Sequence, residues 1–466
     1  MVQRHNWCDV VFVTFFQNFS VVIDLGLRKL SVFRLNTTPL NAEAIVVKTQ
    51  LGEHRNVLWI QVVVVTCVAT WLFHSSTNAV FPIPPIVIPV VAFHLVDWEH
   101  RVGTRVKEPS GDTCDHYNLY PQDIAMLAKL GFDNYRFSVE WSRIEPEDGE
   151  FSQAEINHYR KVLEACHEHN ITPVVTLHHF TTPRWVASQG GWVNDSTADL
   201  FARFSEKVAK SLGDGVGKWC TINEPNMVST IGYLLGEFPP GTKSRDARKK
   251  ANEVFCQAHI KARDAVKSIS SAPLGITLAM QEYTINVDDE SHRAAAEGKR
   301  DMAWDGLEDC FLEVAKGDDY FGVQTYTRER FNQDGRILPD ADMRTTIMGY
   351  EFRPQALEAC IRRAWDKTGH VPIIVTENGI ATSDDAERIE YVHGALEGVL
   401  NCIQDGIDIR GYTYWSLMDN FEWMYGYGPT FGIVAVDWKT QVRTPRPSAS
   451  WLGRIARGNT LLPRNA

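Results

Sequence analysis

The chain has no run of basic residues and no Lys/Arg stretch interleaved with aromatics, and its formal net charge is −11 at pH 7. Nucleic acid presents a dense array of phosphates and needs a positive surface, so this balance argues against a nucleic-acid partner. Cysteines number nine, an odd count with no close-spaced pair. A disulfide framework is therefore not expected; reduced thiols in a cytoplasmic protein are. Metal-binding spacings are missing too. "HEHN" (167–170) lacks the His-Glu-x-x-His pattern, and the adjacent His178 and His179 point to opposite faces of a strand. "GDGVGKW" (213–219) lacks the P-loop spacing and leads into a strand rather than a helix. No metal and no organic cofactor are expected. The Asn-x-Ser/Thr triplets at Asn18, Asn36 and Asn194 are short enough to arise by chance. What the chain does have is tryptophan: 14 residues, more than core packing usually needs, and flat amphipathic rings suit stacking on sugars or bases.

A length of 466 residues fits two or three modest domains or one α/β barrel with insertions. From about Asp97 onward, strand-like and helix-like segments alternate. Short β-rich runs fall at 134–139, 173–177, 219–222, 274–280, 320–325, 372–376 and 409–414. They are nearly continuous apolar runs, as expected when helices cover both faces of a parallel sheet. The intervening stretches carry helical spacing. "PQDIAMLAKLG" (121–131) places Pro121 in a first turn and Gly131 at the stop, and "TADLFARFSEKVAKSLG" (197–213) ends at Gly213. "ERIEYVHGALEGVLNCI" (387–403) follows the same logic. Such alternation implies parallel strands with right-handed crossovers. Seven strands are visible, and an eighth would close a (β/α)8 TIM barrel.

Residues 1–96 do not join the pattern, which gives two regions: an atypical apolar segment, 1–96, and a barrel domain, 97–466. "VLWIQVVVVTCVATWLF" (57–73) is an apolar run at the lower limit for a membrane span, and "FPIPPIVIPVV" (81–91) carries four prolines. The favoured reading is a stretch that is not an evolved domain, as a retained intron or misread gene would give. A membrane anchor through 57–73 is the alternative, which would tether the protein to a membrane.

In an α/β barrel the catalytic groups come from the C-terminal ends of the strands, which open on one face. The tips here are rich in chemistry. "YRFSVEWSRI" (135–144) contributes Arg136, "TLHHFTTPRW" (176–185) contributes His178 and His179, and "VQTYTR" (323–328) contributes Gln324 and Tyr326. "KWCTINEPN" (218–226) delivers Asn223 and Glu224 just before Pro225, which cannot donate to a sheet ladder and so ends the strand. "VPIIVTENG" (371–379) ends in Glu377, and the last strand runs into Trp415, Glu422 and Trp423. Glu224 taken alone has two readings, a working carboxylate or a cap for the following helix. Counted in barrel order, Glu224 and Glu377 sit on the fourth and seventh strands, facing each other across the mouth. Paired carboxylates ringed by Trp, His, Asn and Tyr match the needs of glycosidic-bond cleavage.

"TLHHFTTPRW", "CTINEPN", "VTENG" and "YWSLMDNFEWMYGYGPTFG" (414–432), in this order, resemble glycoside hydrolase family 1, the β-glucosidase family. The resemblance runs from about Trp98 to the C-terminus. It implies a TIM-barrel retaining β-glycosidase acting on β-glucosides or related β-glycosides, with Glu377 as nucleophile and Glu224 as acid/base. A small carbohydrate is then the implied partner. The same resemblance assigns Asn223 to the sugar 2-hydroxyl, and His179, Tyr326, Trp415, Glu422 and Trp423 to substrate contacts. Arg136 is expected to hold Glu377 ionised. Three positions depart from the pattern. Phe180 stands where the family has Trp, Gln324 where it usually has Asn, and Thr430 where it usually has Arg. The Gln-x-x-Glu-Gly-like first strand, whose Gln holds two sugar hydroxyls, is not found before "DWEHRVGTRVKEPSGDTCDHY" (97–117). The first strand is thus aberrant or missing, and a catalytically impaired member of the family is the alternative to an active one.

Overall fold

The computed structural model describes residues 45–48, 59–62 and 108–465, and the chain divides into two compact units, Met1–Pro89 and Val90–Ala466. In the first unit, strands β1 (Ile45–Lys48) and β2 (Trp59–Val62) pair antiparallel. Apart from β2, the apolar run 57–73 and the proline-rich stretch 81–91 lie outside the described residues. Among the described residues no helix is long and apolar enough to cross a membrane.

The second unit is built on a parallel sheet of seven strands. These are β3 (Asn134–Ser138), β4 (Thr172–His179), β5 (Lys218–Asn223), β6 (Leu274–Ala279), β8 (Phe321–Gln324), β11 (Ile373–Glu377) and β12 (Ile409–Tyr412). Each pairs with the next in chain order, all in parallel register. Among the described residues this is the strand order of an α/β barrel one strand short of closure. Strands β7 (Glu282–Ile285), β9 (Arg328–Asn332) and β10 (Gly335–Ile337) form a small second sheet, and β13 (Val434–Val436) pairs with β14 (Arg443–Pro445).

The strand residues are apolar on both faces because both are covered. Leu177, Trp219, Ile222, Ile276, Leu278, Val323 and Val375 are fully buried. Outside them, helix Ser196–Leu212 buries Phe201, Phe204 and Val208 at helical spacing, and Ser244 caps helix Arg245–Lys267 by accepting from the Ala247 N–H at 3.2 Å. Between these layers sits an aromatic cluster. Trp192 stacks on Phe255 with ring centres 4.0 Å apart, and Trp141 stacks on Phe204 at 5.1 Å.

One local expectation fails. Pro121 is not in a first turn: its helix is His116–Leu130, begun five residues earlier from Asp115. The apolar spacing on which the sequence reading relies starts only at Ile124, so the polar first turn carries no periodic signal. The stop at Gly131 is as expected, with a left-handed φ of 101° and its N–H bonded to Leu127 and Ala128 carbonyls.

The two ends of the sheet are β12 and β3, and among the described residues neither outer edge is paired. A cavity of about 750 Å³ runs between them, bordered by Asn134 and Arg410 at one end and by His179 and Trp415 at the other.

Candidate active site

All seven strands point the same way, so their C-terminal tips share one face, and the nine sequence-predicted site residues meet there. Strand β11 ends at Glu377, which is 4 % exposed. Arg136, from β3, donates to Glu377 Oε1 at 2.7 Å, and the Tyr326 hydroxyl donates to Oε2 at 2.7 Å. Arg136 thus pairs with Glu377, as expected, and both side chains are buried. Its second nitrogen, Nη2, donates to Asn223 Oδ1 at 2.5 Å, so one guanidinium ties three strands together.

Glu224 follows β5 directly. Its backbone is left-handed, φ 45° and ψ 56°, and although it occupies the cap position of helix Pro225–Met227 its side chain makes no capping bond. The helix-cap reading of Glu224 is thus set aside. A non-glycine residue in this region carries backbone strain of order 1–3 kcal/mol. Pro225 ends the pairing as expected, and the strand stops at Asn223.

Electrostatics separate the two carboxyls. Burial pushes Glu224 well above the usual carboxylate range, the nearby Glu377 charge pushes it further, and Arg136 opposes both. Burial also raises Glu377, but there Arg136 and the Tyr326 hydroxyl pull against it through direct hydrogen bonds to the charged form. The donor-rich acid is the one that ionises first. Glu422 completes the set: burial, then Glu377, lift it to about 8, while the Trp415 ring N–H bonds it and lowers it.

The aromatic and polar residues close around these acids. His179 Nε2 lies 3.1 Å from Asn223 Nδ2, and its ring centre is 6.0 Å from Trp415 and 5.7 Å from Trp423. Burial and Arg136 hold it well below its ordinary value, hence neutral. His178 points away. It packs edge-on against Trp192 at 4.9 Å, and burial lowers it to about 3. The two histidines take opposite faces, and among the described residues no group of side chains is arranged to hold a metal.

Thr277, Phe238 and Tyr350 had no signal in the sequence, whereas Gln324, Phe180 and Thr430 were visible there only as departures from the family pattern. Thr277 Oγ1, on β6, donates to Asn223 Oδ1 at 3.2 Å, and Gln324 Nε2 donates to the same oxygen at 2.8 Å. With Arg136, three donors converge on one amide oxygen, which fixes the Asn223 amide with its nitrogen toward His179. Phe238 packs against Phe180 and Trp423, with ring centres 5.5 Å and 6.5 Å away. The charges of Glu422 and Glu224 help raise the Tyr350 hydroxyl, behind burial as the main cause, which puts Tyr350 near them. Thr430, the family departure, is structural: its hydroxyl donates to the Thr382 carbonyl at 3.0 Å, and its own carbonyl accepts from Arg388.

A search of protein families matches residues 95–330 and 315–461 to glycosyl hydrolase family 1. The chain belongs to glycosyl hydrolase family 1. Its relatives in the family include a 1,4-beta-D-glucan glucohydrolase from Thermotoga neapolitana, 30 % identical over 78 % of this chain and 92 % of the relative. A bifunctional beta-D-glucosidase/beta-D-fucosidase from Bifidobacterium breve is 30 % identical over 76 % of this chain and 90 % of its own length. Among solved structures, beta-glycosidase BGL167 is 42 % identical with a TM-score of 0.72, covering 79 % of this chain and 93 % of that one. Membership in family 1 makes this protein a glycoside hydrolase with the (β/α)8 fold of the family, of which seven strands are described.

Proposed function

We propose that the protein is a retaining β-glycosidase that hydrolyses unphosphorylated β-glucosides or closely related β-glycosides by double displacement. The observation that carries this reading is the unequal support of two buried carboxyls. Glu377 receives a guanidinium and a hydroxyl; Glu224 receives neither and keeps its proton. Retaining chemistry needs the pair about 5–5.5 Å apart, with one acid ionised to attack the anomeric carbon and the other protonated to release the leaving oxygen. Glu377 attacks, and its carboxylate oxygen bonds to the sugar as the glycosidic C–O bond breaks. Glu224 gives its proton to the departing oxygen. With Glu377 now an uncharged ester, the charge that held Glu224 high is gone. Glu224 then takes a proton from water, which displaces the ester.

The neighbours support this assignment. Asn223, with its amide nitrogen turned away from Arg136, offers a donor to the 2-hydroxyl, a contact that strengthens toward the transition state. His179, Trp415, Glu422 and Trp423 bind the remaining hydroxyls and faces of the sugar. A 6-phosphate brought against the buried acid of Glu422 would meet no compensating cation from it, which favours the unphosphorylated substrate. A cytoplasmic location agrees with the seven described cysteines, all of them free.

The test is hydrolysis of an aryl β-glucoside by the full chain. Glu377→Ala should lower kcat by roughly 10⁴-fold or more, and Glu224→Ala by about 10²–10⁴-fold. Turnover by Glu377→Ala at the wild-type rate refutes the assignment.

A further inference from the structure

Asn223 is held from both sides of its strand. Its Oδ1 accepts from Arg136 Nη2, reaching from β3, at 2.5 Å, and from Gln324 Nε2, reaching from β8, at 2.8 Å. In the order of the sheet, β3 and β8 each lie two strands from β5, on opposite sides. At the usual strand spacing that is about 10 Å of sheet on either side. Gln324 is fully buried, and this is the one bond its side-chain amide makes among the described residues. Arginine has no acceptor, so Asn223 presents its amide oxygen to Arg136, and Gln324 in turn presents its nitrogen. The two holders differ in their other commitments. Arg136 is shared, because its Nη1 also donates to Glu377 Oε1 at 2.7 Å. Gln324 is uncharged and serves Asn223 alone.

We infer that Gln324 is a positioning residue for the 2-hydroxyl contact, keeping the Asn223 amide aimed while the charge beside Arg136 changes. The inference rests on the proposed roles of Asn223 and Glu377. As Glu377 becomes an ester its negative charge is lost, and the attraction that anchors Arg136 goes with it. The bond from Gln324 does not depend on that charge. Asn223 Nδ2 therefore stays beside His179 Nε2, 3.1 Å away, with its second hydrogen left for the sugar. That contact strengthens toward the transition state, so a tilt of the amide is felt most by a substrate that carries the hydroxyl. Gln324 thus makes the site a reader of the sugar's 2-position, with one methylene more of reach than the Asn usual at this place in the family.

The experiment measures kcat/KM for 2,4-dinitrophenyl β-glucoside and for its 2-deoxy analogue, with the full chain and with Gln324→Met. Met keeps the length of Gln, and Asn223 Oδ1 retains two donors, Arg136 and Thr277, so no buried acceptor is orphaned. The glucoside should lose about 10- to 100-fold. The 2-deoxy analogue offers no hydroxyl to Asn223 and should lose no more than about threefold. Equal losses on the two substrates, or no loss on the glucoside, overturn the inference and leave the proposed function standing. A wild-type chain that does not turn over the glucoside overturns the proposed function, and the role of Gln324 with it. A second reading uses the Asn223→Ala background, in which Gln324→Met should cost the glucoside no more than about threefold, since its effect runs through Asn223. A further tenfold loss there overturns the inference. Gln324→Leu, read on the same two substrates, replaces Gln324→Met if urea unfolding shows that Gln324→Met does not fold.

Discussion

The sheet of this glycosidase has two unlike sides. From β4 through β8 each strand is hydrogen-bonded on both edges and backed by helices, and Trp192, Phe255, Phe201 and Trp141 fill the space behind β4 and β5. Along β3 and β12, among the described residues, one edge of each strand is unpaired, and Leu400 and Ile403 beside these edges are 40 % and 47 % exposed. Yet Arg136, which bonds the proposed nucleophile Glu377, comes from β3. The difference teaches that polar bonds crossing the barrel, from β3 to β11 and β5, tie the catalytic constellation together. Arg136 reaches inward to β11 and β5 and is fixed at both.

Three substitutions can break or sharpen that contrast. Trp192→Ala on the closed side removes a fully buried ring and leaves Thr182 Oγ1 without the indole N–H that reaches it at 3.1 Å. It should destabilise the fold by about 3–5 kcal/mol, read from urea unfolding. A loss below 1 kcal/mol would mean that the closed side is not the stable one. Arg136→Met tests the crossing bonds. Arg136 lowers both Glu377 and Glu224, so without it both carboxyls titrate higher. The proposed mechanism requires Glu377 ionised and Glu224 protonated. The acid limb of kcat/KM, set by Glu377, and the alkaline limb, set by Glu224, should both move to higher pH, by about one unit or more. Unmoved limbs would show that Arg136 only packs. The smallest effect is expected at the open edge. Leu400→Ser should change stability by no more than about 0.5 kcal/mol, because the residue is already wet; a loss of 2 kcal/mol or more would mean that something covers this edge in solution.

Much of the barrel was legible in the sequence because buried parallel strands announce themselves as short apolar runs, and the predicted run at 274–280 matches β6 within one residue. The strand-tip acids were legible for a related reason. Pro225 marks where β5 stops, so the carboxyl before it had to stand at the sheet's end. Thr277 and Tyr350 were not. Thr277 reads as an ordinary β-branched strand residue, and its bond to Asn223 joins positions 54 apart in the chain. Tyr350 lies in a stretch with no periodic pattern, near the acids only through the fold. The misplaced Pro121 has the same lesson at short range: a helix's polar first turn has no apolar spacing to betray it.

The left-handed main chain at Glu224 has a consequence for how an acid stays an acid. A carboxyl aimed by hydrogen bonds is also ionised by them, since every donor that grips it favours the anion. Here the peptide bend between a strand and a proline does the aiming, and the side chain makes no bond to the helix it precedes. The conformational cost is borne by the backbone, and burial is left to hold the carboxyl well above the usual carboxylate range.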